Sequence, residues 1–124
     1  MKDNYITVAV HGCVRKVTLD EIVYLARDGR KLRLMTDMGE IEFYEKLENV
    51  LHVLDERFYP CLKGCYVNLE KISCMDEQQM FFENGASYAL GRENFVRTKQ
   101  KYYHFLKANE RREKKSADLR RFWI

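Results

Sequence analysis

Apolar and polar residues alternate one for one near the start of the chain. Ile6, Val8 and Val10 interleave with Thr7, Ala9 and His11, the two-residue period of a strand with one buried face. Gly12 ends that run, and Val14–Leu19 begins a second. Ile22–Arg27 is dense in Ile, Val, Tyr and Leu, the residues that fit a pleated surface. Asp28-Gly29 then predicts a tight hairpin turn, because glycine accepts a positive φ. The return strand Lys31–Thr36 would bury Leu32 and Leu34 and expose Lys31 and Arg33. A turn at Asp37-Met38-Gly39 leads into Glu40–Tyr44, with Ile41 and Phe43 toward the core. The pattern is that of a β-meander.

The period changes over residues 45–57. Leu47, Val50, Leu51, Leu54 and Phe58 recur at three- and four-residue steps, which predicts a helix with one apolar stripe. Pro60 disfavours helix just before it and sets the stop near Arg57. Strands are expected again at Cys65–Leu69, Ile72–Cys74, Gln79–Glu83 and Ser87–Leu90, with a hairpin turn at Asn84-Gly85. From Glu93 the chain reads as helix. Val96 with Tyr103, and Phe95 with Tyr102, Phe105 and Leu106, would form its packing face, leaving Arg97, Lys99, Lys101 and Lys107 in water. The nearly apolar-free stretch 109–121 fits either a solvated helix or a frayed tail. Phe122-Trp123-Ile124 is an apolar cluster expected to dock on the domain or on a second copy.

At 124 residues the chain is the size of one domain. No apolar stretch approaches the roughly 18–20 residues that cross a bilayer, and the N-terminus does not resemble a secretory signal, so a cytoplasmic protein is expected. Cys13, Cys61, Cys65 and Cys74 contain no C-x-x-C pair, and His11, His52 and His104 are scattered, which argues against a zinc site. The thiols read as small buried apolar side chains, with a redox pair of Cys61 and Cys65 as a second reading. Charge is uneven. Residues 92–124 hold 11 Lys and Arg against 4 Asp and Glu, whereas residues 1–91 hold 11 against 15. A basic C-terminal segment suits a polyanionic partner, or equally a solvated helix. Motifs for nucleotide binding, nucleophilic catalysis or metal hydrolysis do not occur, so neither enzymatic activity nor a cofactor is expected.

Four strings, in order, resemble the LytTR DNA-binding family over residues 5–106. Asp20-Glu21-Ile22-Val23-Tyr24-Leu25, followed by Asp28-Gly29-Arg30-Lys31, looks like the family's I-x-Y-I-E-x-x-x-R-K opening. Phe43-Tyr44 with Leu47, Leu54 and Phe58 resembles its helix entry and exit. Cys65-Tyr66-Val67-Asn68-Leu69-Glu70-Lys71-Ile72 is similar to S-Y-x-V-N-x-x-x-I. Asn84-Gly85, then Leu90-Gly91-Arg92, resembles its last hairpin and the basic residue beyond.

The resemblance implies a mainly β fold: an elongated stack of small antiparallel sheets with one short mid-chain helix and a C-terminal helix. The domain would cover residues 1–106 and a basic extension 107–124, without an attached receiver domain. It implies a transcription regulator that reads double-stranded DNA in a sequence-specific way, possible as a homodimer on repeated half-sites. Three loops would enter successive major grooves, carrying Arg30 and Lys31, then Lys63, then Arg92 with Asn94. Arginine can donate two bonds to guanine, whereas Lys63 is assigned to phosphate. The second loop departs from the family's R-x-H-x-S, with Pro60, Leu62 and Gly64 at those positions. Ala26 stands where a glutamate is expected, and Gly91 replaces a frequent serine. The departures leave open an alternative, a protein-interaction module that modulates a related regulator.

Overall fold

The short alternating runs fold into three antiparallel sheets. A computed structural model describes residues 4–122, with side chains through residue 110. The first sheet pairs β1 (Tyr5–Val10) with β2 (Cys13–Thr18) across the His11-Gly12 turn. The second contains β3 (Ile22–Asp28), β4 (Lys31–Thr36), β5 (Gly39–Tyr44), β6 (Phe58–Leu62) and β7 (Cys65–Asn68), in the spatial order β5-β4-β3-β7-β6. The third contains β8 (Ile72–Asp76), β9 (Gln79–Phe82) and β10 (Ser87–Ala89). The helix α1 (Arg92–Phe122) comes last. This is the mainly β stack of small sheets, with a C-terminal helix, that the sequence predicts.

The apolar run of β3 has a physical reason: the strand is central and covered on both faces, so it loses polar alternation. Ile22 and Leu25 join Ile6, Val8, Val17, Leu32, Leu34 and Phe43 in one buried cluster. Val23, Tyr24 and Ala26 join Cys65, Val67, Ile72, Met80, Phe82, Phe95 and Tyr102 in the other. The first cluster lies under the β1–β2 hairpin, the second under β8–β10 and α1. Leu34 is fully buried, so Leu34→Ala would cost about 2–5 kcal/mol through lost transfer energy and the cavity left behind.

Asn68, the last residue of β7, ties the central strand to the turn that leads into β8. Its Nδ2 donates to the Ile22 carbonyl at 2.9 Å, and its Oδ1 accepts the Glu70 amide at 3.0 Å. The asparagine of the V-N string is thus a structural side chain, fully buried.

Three expectations are corrected. The mid-chain helix is not an α-helix over 45–57 but two 3-10 turns, Leu47–Asn49 and Leu51–Val53. Its hydrogen bonds run from Val50 to Leu47 and from Leu54 to Leu51. This connection runs from edge strand β5 to edge strand β6, roughly 19 Å across four strand spacings of about 4.8 Å. A 3-10 turn rises about 2.0 Å per residue against 1.5 Å for an α-helix, which suits that span while Leu47 and Val50 stay buried. Phe58 leaves the expected stripe to pair with Asn68 and begins β6, a strand that the sequence reading lacks. Pro60 is tolerated within it because β6 is an edge.

The packing face of α1 is the second correction. Phe95, Thr98 and Tyr102 are buried, while Val96, Tyr103 and Leu106 are exposed. Tyr102 sets this rotation by donating its hydroxyl to the Ile72 carbonyl at 2.6 Å inside the core. The third concerns the thiols. Cys61 and Cys65 are buried, but Cys13 and Cys74 are exposed. Docking of Phe122, Trp123 and Ile124 concerns side chains outside the described residues.

Candidate nucleic-acid interface

Antiparallel order gathers the ends of β3, β5 and β6 and the starts of β4 and β7 at one end of the five-stranded sheet. Two of the sequence-predicted loops therefore lie side by side. Loop one is the β3–β4 turn at Gly29-Arg30, and loop two is the β6–β7 turn at Lys63-Gly64. The Arg27 amide donates to the Gly64 carbonyl at 2.8 Å and stitches them together.

Arg30 is exposed at the tip of loop one. It borders an open concavity of about 620 Å³ shared with Gly29, Tyr44, Glu45, Lys46 and Asn49. Lys31 stands opposite Tyr44 in the β4–β5 ladder, and its Nζ lies 5.1 Å from the Tyr44 ring centroid. Tyr44 is 74% exposed, so an open aromatic surface stands beside two cations. The β1–β2 hairpin reaches the same place. His11, at φ 49° in its turn, shares a smaller recess with Lys31 and Tyr44.

Lys63 is exposed at the tip of loop two. A second concavity, of about 510 Å³, runs between this turn and α1, with Arg27 and Arg97 at its sides. Pro60 and Leu62 line it as well, so two of the residues that depart from the family pattern supply apolar wall. Arg92 and Asn94 open α1. Arg92 is exposed and lines neither concavity. Asn94 is half-buried, and its Oδ1 accepts a bond from Arg97 Nη2 at 2.7 Å. The fold thus brings Lys63 to the first turns of α1 through Arg97 rather than through Arg92.

Arg27, Tyr44, Lys46 and Arg97 were not singled out as site residues by sequence reasoning. For Arg97 the only local signal is its i,i+3 spacing from Asn94. For Arg27 there is none, since its place beside Gly64 depends on β3–β7 pairing.

Charge pairing differs sharply between the two ends of the sheet. At the far end Arg57 is held by Asp20 at 2.7 Å, Asp55 at 2.9 Å and Glu70 at 3.4 Å, and Lys71 by Asp37 at 3.0 Å. The hydrogen bond from Arg57 to Asp55, with a smaller contribution from the one to Asp20, drives the guanidinium well above its ordinary range. On the open face of β4, Arg33 pairs with Glu40 and Glu42. At the loop end, among the described residues, no ion pair involves Arg30, Lys31, Lys63, Arg92 or Arg97. Arg27 approaches the exposed Glu48 only at 4.0 Å.

The buried thiols lie behind loop two. Cys61 Sγ faces the Cys65 carbonyl at 3.7 Å. Its interaction with Cys65, together with burial, pushes the Cys61 thiol far above its ordinary range. A thiol held neutral is a poor nucleophile. Among the described residues no cluster of three or more His, Cys, Asp or Glu is placed to hold a metal ion, and no helix is long and apolar enough to cross a membrane.

The family model of the LytTr DNA-binding domain matches residues 12–105. Among solved structures, the chain is similar to the LytTr DNA-binding domain of a methyl-accepting/DNA response regulator from Bacillus cereus. The TM-score is 0.65 at 14% identity, covering 82% of this chain and 97% of that one. No curated protein matches it.

Proposed function

Because the chain belongs to the LytTr DNA-binding domain family, we propose that it is a non-enzymatic, cytoplasmic transcription regulator that reads double-stranded DNA sequence-specifically. The observation that carries this reading is the gathering of Arg30, Lys31, Lys63 and Arg97 toward one end of the sheet with no ion pair among the described residues, while Arg33, Arg57 and Lys71 elsewhere on the sheet are paired with carboxylates. Unpaired cations attract a polyanion and raise its local concentration. The tips have different tasks. Arg30 and Arg92, both exposed, would read base edges in successive major grooves, where a good bidentate contact is worth about 1–3 kcal/mol of discrimination. Lys31, drawn against Tyr44, and Lys63 hold the backbone, and Asn94 sets the position of Arg97. Copies on repeated half-sites would increase affinity by avidity.

The test is selection of bound sites from random duplex DNA, followed by gel shift of the selected and scrambled duplexes across salt concentrations. A recurring motif with a steep salt slope is expected. A second reading has its own observation. Val96, Tyr103 and Leu106 leave apolar surface on α1, and loop two offers Leu62 where the family carries a polar group. A module that binds a related regulator would show no duplex affinity even at low salt.

A further inference from the structure

The departures in loop two leave Lys63 as its only charged donor, yet the turn is not alone. Arg27 comes from the end of β3 and Arg97 from the second turn of α1, and together with Lys63 they border one concavity. Its walls include Tyr59, Pro60, Leu62 and Tyr66; among the described residues no carboxylate lines it, and Glu48 comes only within 4.0 Å of Arg27. Building on the DNA reading above, we infer that this groove seats the sugar–phosphate backbone of the bound duplex, with Arg27, Lys63 and Arg97 as three phosphate contacts.

Two details of geometry support the assignment. A Cβ built at Gly64 would lie 3.5 Å from Arg27 Nη2 and 3.6 Å from Arg27 Nε, so one edge of the exposed guanidinium lies along the turn. Arg97 is oriented by Asn94 Oδ1 at 2.7 Å, a neutral acceptor that fixes direction and leaves the charge uncompensated. Shape decides between backbone and bases. A base edge lies inside a groove of DNA and must be reached by a projecting tip. A phosphate chain is a convex ridge, and it fits a concave protein surface edged by cations. The apolar floor excludes water beneath the seat and strengthens each charge contact. On this account loop two lost its polar readers and became the wall of a backbone seat, which contributes affinity and register without sequence information.

The experiment measures duplex affinity by fluorescence anisotropy on a selected site and a scrambled site at several salt concentrations. Arg27→Ala, Lys63→Ala and Arg97→Ala should each weaken both duplexes by the same factor. Each should also flatten the slope of log K against log salt by about 0.9, so that the affinity ratio between about 50 and about 200 mM salt shrinks roughly 3.5-fold. Arg27→Lys and Arg97→Lys should recover the slope. A second arm leaves the protein unchanged: single methylphosphonate linkages scanned along the selected duplex should reveal positions that weaken wild type and no longer matter to Arg97→Ala.

Loss confined to the selected duplex would overturn the inference by making these residues base readers. Wild-type affinity and slope in Arg27→Ala and Arg97→Ala, with Arg30→Ala impaired, would place the groove away from DNA. Displacement of the duplex by inorganic phosphate well beyond the effect of chloride at equal ionic strength would assign the groove to a free anion and also overturn it. If wild type binds no duplex at all, the DNA reading itself fails, a result distinct from each of these.

Discussion

Replacing Gly64 by serine restores a residue of the family pattern, and it should destabilise this chain. Gly64 has φ +82° in the β6–β7 turn, a conformation that costs an L-residue roughly 1–2 kcal/mol because its Cβ crowds the carbonyl oxygen. Steric contact adds little, since the nearest neighbour of the new Cβ would be Arg27 Nη2 at 3.5 Å, an ordinary contact distance. The turn cannot easily relax to negative φ, because the Gly64 carbonyl accepts the Arg27 amide at 2.8 Å. For a chain of this size one kcal/mol shifts the melting temperature by about 4 °C, so Gly64→Ser should melt about 4–8 °C lower. Asparagine tolerates the left-handed region better than most residues, and a β-branched side chain tolerates it worst. Thermal unfolding followed by circular dichroism should therefore rank the losses as valine, then serine, then asparagine. Serine melting within about 1 °C of wild type, or asparagine losing more than serine, would refute a turn held at positive φ.

Three further outcomes are expected. Arg30→Ala and Arg92→Ala should each cost about 1–3 kcal/mol on a selected duplex and little on a scrambled one; equal losses on both, read by anisotropy, would make them phosphate contacts. Thr98→Val should raise the melting temperature by about 4 °C, because the Thr98 hydroxyl is buried without a hydrogen-bond partner among the described residues and an unsatisfied buried polar group costs about 1–3 kcal/mol; a lower melting temperature would mean that a water serves it. Burial raises the Tyr24 and Tyr102 hydroxyls above the ordinary value of 10.0, so the folded state holds those protons more tightly than the unfolded chain. The corresponding stability is present below pH 10 and is lost as pH rises past it. Urea midpoints at about pH 8 and about pH 11 should show that fall, and a smaller fall in Tyr102→Phe.

The range of an interaction decides how much of this fold was legible in the sequence. Period-two alternation and turn glycines are local, so the hairpins at Asp28-Gly29 and Asn84-Gly85 could be located from a few residues each. Strand β6 was not legible, because Phe58 continues a helical spacing and Pro60 reads as a break. Only its position at a sheet edge makes that proline acceptable. The rotation of α1 was half legible. Phe95, Tyr102 and Phe105 pack inward as expected, but two adjacent apolar stripes compete on this helix. The bond from Tyr102 to the Ile72 carbonyl, a contact across 30 residues, selects one of them.

Charge was the least legible property of the candidate site, for a related reason. Along the sequence the basic segment is 92–124, and residues 1–91 carry more acid than base. In space the division runs differently. Arg27, Arg30, Lys31 and Lys63 all belong to the acidic stretch, yet they collect where strands end and few carboxylates join them. Asp28, Glu45 and Glu48 stay at the loop end, Glu48 at 4.0 Å from Arg27, but the acids that make the closer ion pairs lie elsewhere. Asp20, Asp37, Asp55 and Glu70 neutralise Arg57 and Lys71 at the opposite end of the same sheet, and Glu40 and Glu42 neutralise Arg33 on its face. A net charge summed over a segment cannot register such sorting, because alternate strand ends point opposite ways and residues adjacent in sequence are sent to opposite poles. The field that a polyanion meets is set by this sorting at the loop end, whatever the sign of the segment as a whole.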